Sequence, residues 1–185
     1  MKKFCIIFLL SIIISLAAFG MGTFQNQGGM YATGGNATGL EKEYLRIHIR
    51  ADSNDGAAQA VKYKVRDEVV DYLTPLVANY ETKGEAMQGV AENLPQIEAV
   101  ATSVLRKNGF SYGASACLRA EEFPTRVYGE YTLPAGEYSA LILCLGKGEG
   151  DNWWCVVYPP LCFAATSTNV VYKSKIKEII ERFYK

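Results

Sequence analysis

The sequence predicts one α+β domain that follows an apolar amino-terminal segment and a flexible tether. Three patterns indicate this fold class. The stretch "YLRIHIR" (44–50) alternates apolar and polar residues as a half-buried strand does. Helical periodicity then continues to about residue 107, and the turns "PAGE" and "GKGEGD" divide an aromatic, β-branched second half. The alternation sends Leu45, Ile47 and Ile49 to one face of the strand and Tyr44, Arg46, His48 and Arg50 to the other.

The first 24 residues, "MKKFCIIFLLSIIISLAAFGMGTF", place two lysines before a long apolar run. This pattern is typical of a secretory signal peptide or of an uncleaved membrane anchor. In either case we expect the lysines to stay inside and the rest of the chain to be exported. Residues 25–40 are rich in Gly, Asn and Thr and predict a flexible tether, so the α+β domain is expected to occupy 41–185.

The first half of the domain is predicted to contain two to three helices after the strand. One helix should run from about Ala57 to Leu73 and end at Pro75. A second helical stretch, 85–107, contains Pro95, which should kink or divide it.

The second half is predicted to form a mostly antiparallel sheet with strands near 112–120, 124–132, 137–145 and 153–158. The chain then closes with an amphipathic helix, "KIKEIIERFYK". Its apolar stripe can dock on the sheet or lie on a membrane, and we expect docking because such stripes usually face their own core. The stripe comprises Ile176, Ile179, Ile180 and Phe183.

The composition argues against several classes of function. Nineteen acidic and nineteen basic residues balance, whereas a nucleic-acid-binding protein usually carries a basic excess. The only histidine, His48, lies between Arg46 and Arg50, and no partner for a catalytic set is apparent. We therefore predict neither catalytic residues nor a cofactor.

Four cysteines, Cys117, Cys144, Cys155 and Cys162, follow the apolar segment. In an exported chain they favour disulfides, for which three connectivities are open, and Cys155–Cys162 is a candidate that closes a short loop. Zinc bound by these cysteines and His48 is the rival interpretation. It is disfavoured because no cysteine pair has the short spacing usual in zinc sites.

The block "NWWCVVYPPLCF" is the densest group of aromatic and rigid residues in the chain. Adjacent tryptophans on a strand point to opposite faces, so one is expected to pack inward and the other to meet a partner. An alternative function uses Trp153 and Trp154 with Glu149 and Asp151 in a cell-wall glycan-binding module or hydrolase. The candidate partner-binding residues are Trp153, Trp154, Tyr158, Pro159, Pro160 and Phe163.

This block, together with "FPTRVYG" (123–129), "PAGEYSALI" (134–142), "LRIHIRADSN" and "KYKVRDEVVDYL", resembles the stage II sporulation protein R family over about residues 44–184. Two positions depart from that pattern: Asp52 stands where Asn is usual, and Ala58 where Asp is usual. Cys117 and Cys144 do not belong to the pattern either. The residues that match the family motifs include His48, Arg66, Asp67, Phe123, Pro124, Thr125, Tyr128, Gly129, Gly136, Glu137 and Tyr138.

The resemblance implies a signalling protein and not a catalyst. Members of this family are made in the forespore of endospore-forming bacteria and secreted into the space between the forespore and mother-cell membranes. There they trigger a membrane-embedded aspartic protease of the mother cell, which removes the pro-segment of the sigma-E transcription factor. We therefore expect a loop stapled by Cys155 and Cys162 to display aromatic surface to that protease.

Overall fold

The computed structural model describes residues 43–129, 131–161 and 170–183, with the side chains of 170–176 excepted. All of these residues belong to one compact unit, Gly34–Lys185. The predicted α+β class is confirmed, since four helices accompany a four-stranded mixed sheet and a two-stranded sheet in this part of the chain. The expectations for residues 1–24 and 25–40 fall outside it.

The predicted first strand is the inner strand on which the main sheet is built. This strand, β1 (Leu45–Arg50), pairs in parallel with β5 (Gly136–Leu145) and antiparallel with β6 (Asn152–Tyr158). An outer strand, β2 (Ala114–Phe123), pairs antiparallel with β5, which completes the order β2-β5-β1-β6. Because two of the three pairings are antiparallel, the sheet is mostly antiparallel, as predicted.

Helix α1 (Gly56–Val77) begins at Asp55, whose carboxylate accepts hydrogen bonds from two backbone amides of the first turn. The predicted end at Pro75 is wrong, because the helix continues to Val77. A proline this close to the end removes only one hydrogen bond of the helix. Leu73, Thr74 and Val77 are buried, so packing keeps the last turn helical.

The second helical stretch is divided, as Pro95 predicts. Helix α2 (Lys83–Glu92) and helix α3 (Leu94–Lys107) meet at Asn93, and the proline occupies the first turn of α3. A proline is tolerated there because the first amides of a helix have no intrahelical acceptor. Gly109, with φ of 84°, follows the end of α3 in the left-handed conformation typical of a helix terminator.

The prediction of one continuous strand over residues 124–132 is wrong. Two short strands, β3 (Arg126–Tyr128) and β4 (Tyr131–Leu133), form a hairpin instead. Gly129, with φ of 62°, turns the chain directly after β3, a conformation that strongly favours glycine. This hairpin forms its own two-stranded sheet, separate from the four-stranded one.

The two faces of the main sheet bury different clusters. Leu45, Ile47 and Ile49 face α1 and α3 in the larger apolar cluster, while Tyr44 belongs to a second cluster on the other face. Helix α4 (Val170–Phe183) docks on the domain, as predicted. Its Ile179 is 3% exposed, and the ring of Phe183 lies 5.3 Å from that of Tyr44. No helix of the described residues is long and apolar enough to cross a bilayer.

Candidate functional site

The face of the main sheet that lies opposite α1 and α3 carries a group of aromatic rings. These rings surround two buried polar side chains, the guanidinium of Arg46 and the imidazole of His48. We name this group the Arg46–His48 cluster. Strand β1 contributes its two polar members, since the alternation points them away from the helices. Strands β2, β3, β5 and β6 contribute the aromatic members. The cluster comprises Arg46, His48, Phe123, Tyr128, Tyr138 and Trp154.

Arg46 is fully buried and enclosed by aromatic rings. Its guanidinium carbon lies 4.1 Å from the ring centroid of Phe123, 4.8 Å from that of Tyr138 and 5.8 Å from that of Tyr128. Nη2 donates a hydrogen bond of 2.7 Å to the hydroxyl of Tyr128, whereas Nε and Nη1 have no acceptor among the residues that the structure describes. Burial lowers the pKa of Arg46, because removing water disfavours its charged form.

His48 is 1% exposed and stacks on Trp154, with ring centroids 3.6 Å apart and 21° between the ring planes. Its Nδ1 lies 3.5 Å from Glu121 Oε1, and in the described part of the chain neither ring nitrogen makes a hydrogen bond of ideal geometry. Burial lowers the pKa of His48, and the charge of Arg50 lowers it further, although Asn152 and Glu121 oppose the shift. The environment therefore favours the neutral imidazole.

Glu121 links three basic side chains beside the cluster. Its carboxylate is paired with Arg50 through Oε1 and with Arg119 through Oε2, and it approaches His48 as well. Burial raises the pKa of Glu121, but the hydrogen bond from Arg119 and the positive charges around it outweigh burial, and the pKa is lowered. The charge of Glu121 is therefore already paired with those of Arg50 and Arg119.

Trp153 and Trp154 point to opposite faces, as the adjacent positions predict. Trp153 packs at the rim of the helical core, and the guanidinium of Arg66 lies 5.7 Å from its ring and 5.0 Å from that of Tyr63. Trp154 packs in the Arg46–His48 cluster, and its ring lies 4.7 Å from that of Phe123. We expected one tryptophan ring to be buried in the core and the other to be exposed. Both side chains are instead half-buried.

The remaining residues of the predicted partner-binding block are less accessible than the tryptophans. Tyr158 is 3% exposed and donates a hydrogen bond to the carbonyl of Glu81, and Pro159 and Pro160 are buried. Phe163 lies outside the described residues. Of the block, Trp153 and Trp154 are therefore the members whose accessible surface is established.

The other residues of the family motifs lie near the hairpin or on α1. Thr125 Oγ1 accepts a hydrogen bond of 3.0 Å from the amide of Ala135 and ties together the two ends of the β3–β4 hairpin. Pro124 precedes β3, Gly129 forms its turn, Gly136 pairs with Phe123, and Glu137 is exposed on β5. Asp67 pairs with Arg66 at 2.7 Å on the surface of α1.

The cysteines fall into two groups. Cys155 is buried and disulfide-bonded, and since Cys162 lies outside the described residues, the Cys155–Cys162 pairing stays a prediction. Cys117 and Cys144 are free thiols on neighbouring strands, and the same face of the sheet carries both. Burial raises the pKa of Cys144. The described residues contain no cluster of three or more His, Cys, Asp or Glu side chains that could hold a metal ion.

The carboxylates of the glycan alternative lie in the loop between β5 and β6. Both Glu149 and Asp151 are exposed, and their backbone amides bond to Asp52 O and Asn54 Oδ1. An open groove of about 580 Å³ lies beside this loop. It is lined by Asp52, Tyr112, Gly113, Ala114, Ser115, Gly146 and Lys147, and contains neither tryptophan.

Sequence reasoning missed Arg46 and Glu121 as members of the site. The alternation of β1 places Arg46 on the same face as His48, which was a usable signal. Its burial was not readable, because the covering rings of Phe123, Tyr128 and Tyr138 come from strands that follow more than 70 residues later.

Comparison with known proteins supports the family resemblance that the motifs of this cluster indicate. Residues 41–168 match the family model described as stage II sporulation protein R. The stage II sporulation protein R of Bacillus subtilis (strain 168) is 37% identical over 136 residues, which is 74% of this chain and 61% of that relative. The aligned region thus spans about three-fifths of the relative. No solved structure matches the chain. The chain belongs to the stage II sporulation protein R family, whose role is in sporulation.

Proposed function

We propose that this chain is an exported signalling protein that activates a membrane-embedded aspartic protease of the mother cell by binding it. The site of action is the space between the forespore and mother-cell membranes, and the product is processed sigma-E. Membership of the family supports the sporulation role. The apolar run that follows Lys2 and Lys3 supports export, either as a cleaved signal or as an anchor.

The convergence of separate motifs on one face of the sheet is the observation that carries the proposal. His48 comes from the first strand motif, Phe123 and Tyr128 from "FPTRVYG", Tyr138 from "PAGEYSALI" and Trp154 from the tryptophan block. Phe123, Tyr128 and Tyr138 surround Arg46, and His48 and Trp154 pack against Phe123, on the face of the sheet opposite the helical core. Of these rings, Tyr128 and Trp154 keep part of their surface accessible, and aromatic side chains of this kind are typical anchors of protein interfaces.

Binding explains this site better than catalysis. A histidine base needs an accessible nitrogen within hydrogen-bond reach of the proton that it accepts. The ring of His48 is buried and stacked, and its pKa is lowered by burial. We therefore propose a protein ligand that acts without a cofactor and does not bind nucleic acid.

The test is co-expression of the full chain with the candidate protease and pro-sigma-E in a bacterium that does not sporulate. Processing of the pro-segment, followed by immunoblot, should require both proteins. Three controls belong to the test: omission of this chain, deletion of residues 1–24, and substitution of the catalytic aspartate of the protease. Processing that is unchanged when this chain is omitted would overturn the proposal.

A second arm tests whether the amino-terminal segment only delivers the domain. Replacing residues 1–24 by an unrelated cleavable signal peptide should preserve processing if export alone is needed. Loss of processing despite normal secretion would show that anchoring by this segment is part of the signal.

A further inference from the structure

We propose that Arg46 is a receptor for a carboxylate that the binding partner supplies, held in the Arg46–His48 cluster. That a partner protein supplies this carboxylate rests on the proposed function. That the ligand of Arg46 is a carboxylate rests on the geometry of the cluster alone. The occupant is thus an acidic side chain or a chain terminus of the bound protein.

The first argument is that no anionic partner of Arg46 is found among the described residues. Arg46 is completely buried, and among the described residues its only hydrogen-bond acceptor is the neutral hydroxyl of Tyr128. In the same part of the chain, its Nε and Nη1 have no acceptor. A buried cation is costly unless an anion or several acceptors compensate it. The carboxylate of Glu121, which lies beside His48, is already paired with Arg50 and Arg119.

The second argument is the character of the surroundings. The rings of Phe123 and Tyr138 lie within 5 Å of the guanidinium carbon and shield it from water. A low local dielectric strengthens an arginine–carboxylate pair, and the planar guanidinium matches a carboxylate geometrically. The imidazole of His48, stacked on Trp154, adds a further ring beside this apolar enclosure.

The third argument concerns access. Tyr128, which bonds to Arg46, lies on the β3–β4 hairpin. Within the described ranges, the two strands of the hairpin pair with each other and not with the main sheet, so displacing the hairpin breaks no backbone hydrogen bond of that sheet. Val127, the neighbouring residue of the same strand, is 65% exposed. A partner can therefore reach Arg46 by replacing the Tyr128 contact without unfolding the sheet.

The direct test is a titration of the full chain in neutral detergent micelles, with ¹⁵N in its arginines and tryptophans. The probe is N-acetyl-glutamic acid α-amide, which carries one side-chain carboxylate. The matched neutral probe is N-acetyl-glutamine α-amide. The two tryptophans of the chain provide an internal comparison, because only Trp154 lies in the cluster.

The expected result is a saturable shift of the Arg46 Nε–H and Trp154 indole signals with the glutamic acid probe alone. The Trp153 signal should stay unchanged. Equal shifts with both probes, equal shifts of both indoles, or no shift would each overturn the proposal. A shift produced by inorganic phosphate but not by the carboxylate probe would overturn the carboxylate assignment.

Two substitutions separate a receptor from a structural arginine. Arg46→Met removes the charge at similar size and should weaken the apparent affinity for the carboxylate probe about tenfold or more. Its melting temperature should be unchanged or higher, because no buried anion is left unpaired. Lys107→Met is the matched surface control and should alter neither quantity. Should Arg46→Met lower the melting temperature markedly, the arginine is structural and the proposal fails.

Tyr128→Phe provides an independent variant that keeps the aromatic ring. It removes the hydroxyl that occupies Nη2, so the apparent affinity for the carboxylate probe should be retained or increased. Loss of the probe-dependent shift in this variant would contradict the receptor. In the co-expression assay, Arg46→Met should reduce processing about tenfold while wild-type processing persists. If the wild-type chain supports no processing, the proposed function fails and the titration still decides the carboxylate site.

Discussion

The imidazole of His48 and the indole of Trp154 lie face to face across the pairing of β1 with β6, with 3.6 Å between ring centroids. The register places them directly opposite each other, and both point away from the helices. The stack joins the strand of the buried arginine to the tryptophan block. It therefore connects two motifs that are about a hundred residues apart in the sequence.

This stack should be energetically coupled. In a double-mutant cycle of His48→Ala and Trp154→Ala, measured by urea denaturation, we expect a coupling free energy of about 1 kcal/mol. The matched control replaces Trp154→Ala by Trp153→Ala, whose ring lies on the other face of the sheet. That second cycle should be additive within about 0.5 kcal/mol. Equal coupling in both cycles would contradict a specific contact.

The stability of the domain should decrease as the pH falls below about 6.5 because of His48. Its pKa is lowered in the folded protein from the ordinary value of 6.5, first by burial. Above that pH the imidazole is neutral in both states. As the pH falls, the unfolded chain binds a proton that the folded protein does not, so the free energy of unfolding decreases by at most about 1.4 kcal/mol per pH unit.

The variant His48→Gln isolates this effect, since the chain has no other histidine. Urea denaturation at several pH values should show a shallower decrease for the variant than for the wild type. The pKa of Glu121 is lowered from its ordinary value of 4.5, so its carboxylate titrates below the pKa of His48 in the unfolded chain. Parallel curves for the two proteins would refute the assignment.

Asp52, which departs from the family pattern, should tolerate the usual residue. Its Oδ1 accepts a hydrogen bond of 2.8 Å from the amide of Lys147, and an asparagine offers an acceptor oxygen at the same place. Asp52→Asn should therefore change the free energy of unfolding by less than about 0.5 kcal/mol, whereas Asp52→Ala should cost about 1 kcal/mol. Thermal and urea denaturation distinguish the two. A large cost for asparagine would show that the negative charge matters.

The three described cysteines should react differently with iodoacetamide in the native protein. Cys117 is an exposed free thiol and should be alkylated first. Cys144 is half-buried and its pKa is raised by burial, so its thiolate forms less readily and its reaction should be slower. Cys155 should remain unmodified because it is disulfide-bonded.

Peptide mass mapping without reduction completes this prediction by identifying the partner of Cys155, which we expect to be Cys162. Recovery of both Cys155 and Cys162 as free thiols would contradict the expected pairing. Modification of Cys144 before Cys117 would contradict the expected order of reaction. Reduction before alkylation is the control that should make every cysteine reactive.

Local patterns in the sequence determined the elements of this domain. The alternation of residues 44–50 predicted β1 and the face of each of its side chains, and Pro95 predicted the division between α2 and α3. Such features, the pleat of a strand and the start of a helix, depend on interactions between residues a few positions apart. A short stretch of sequence is therefore enough to predict them. The misplaced end of α1 at Pro75 shows the limit, because buried neighbours outside the local pattern extend the last turn.

Only the tertiary structure decided the order β2-β5-β1-β6 and the composition of the site. Arg46 and Tyr128 are 82 positions apart, yet they are hydrogen-bonded, and Phe123 and Tyr138 close around the same guanidinium. The tertiary structure also buries Tyr158, Pro159 and Pro160, which the sequence had predicted to lie on a partner-binding surface. Contacts between distant strands depend on how the whole sheet packs, and a local period of two or 3.6 residues carries no information about which strands become neighbours.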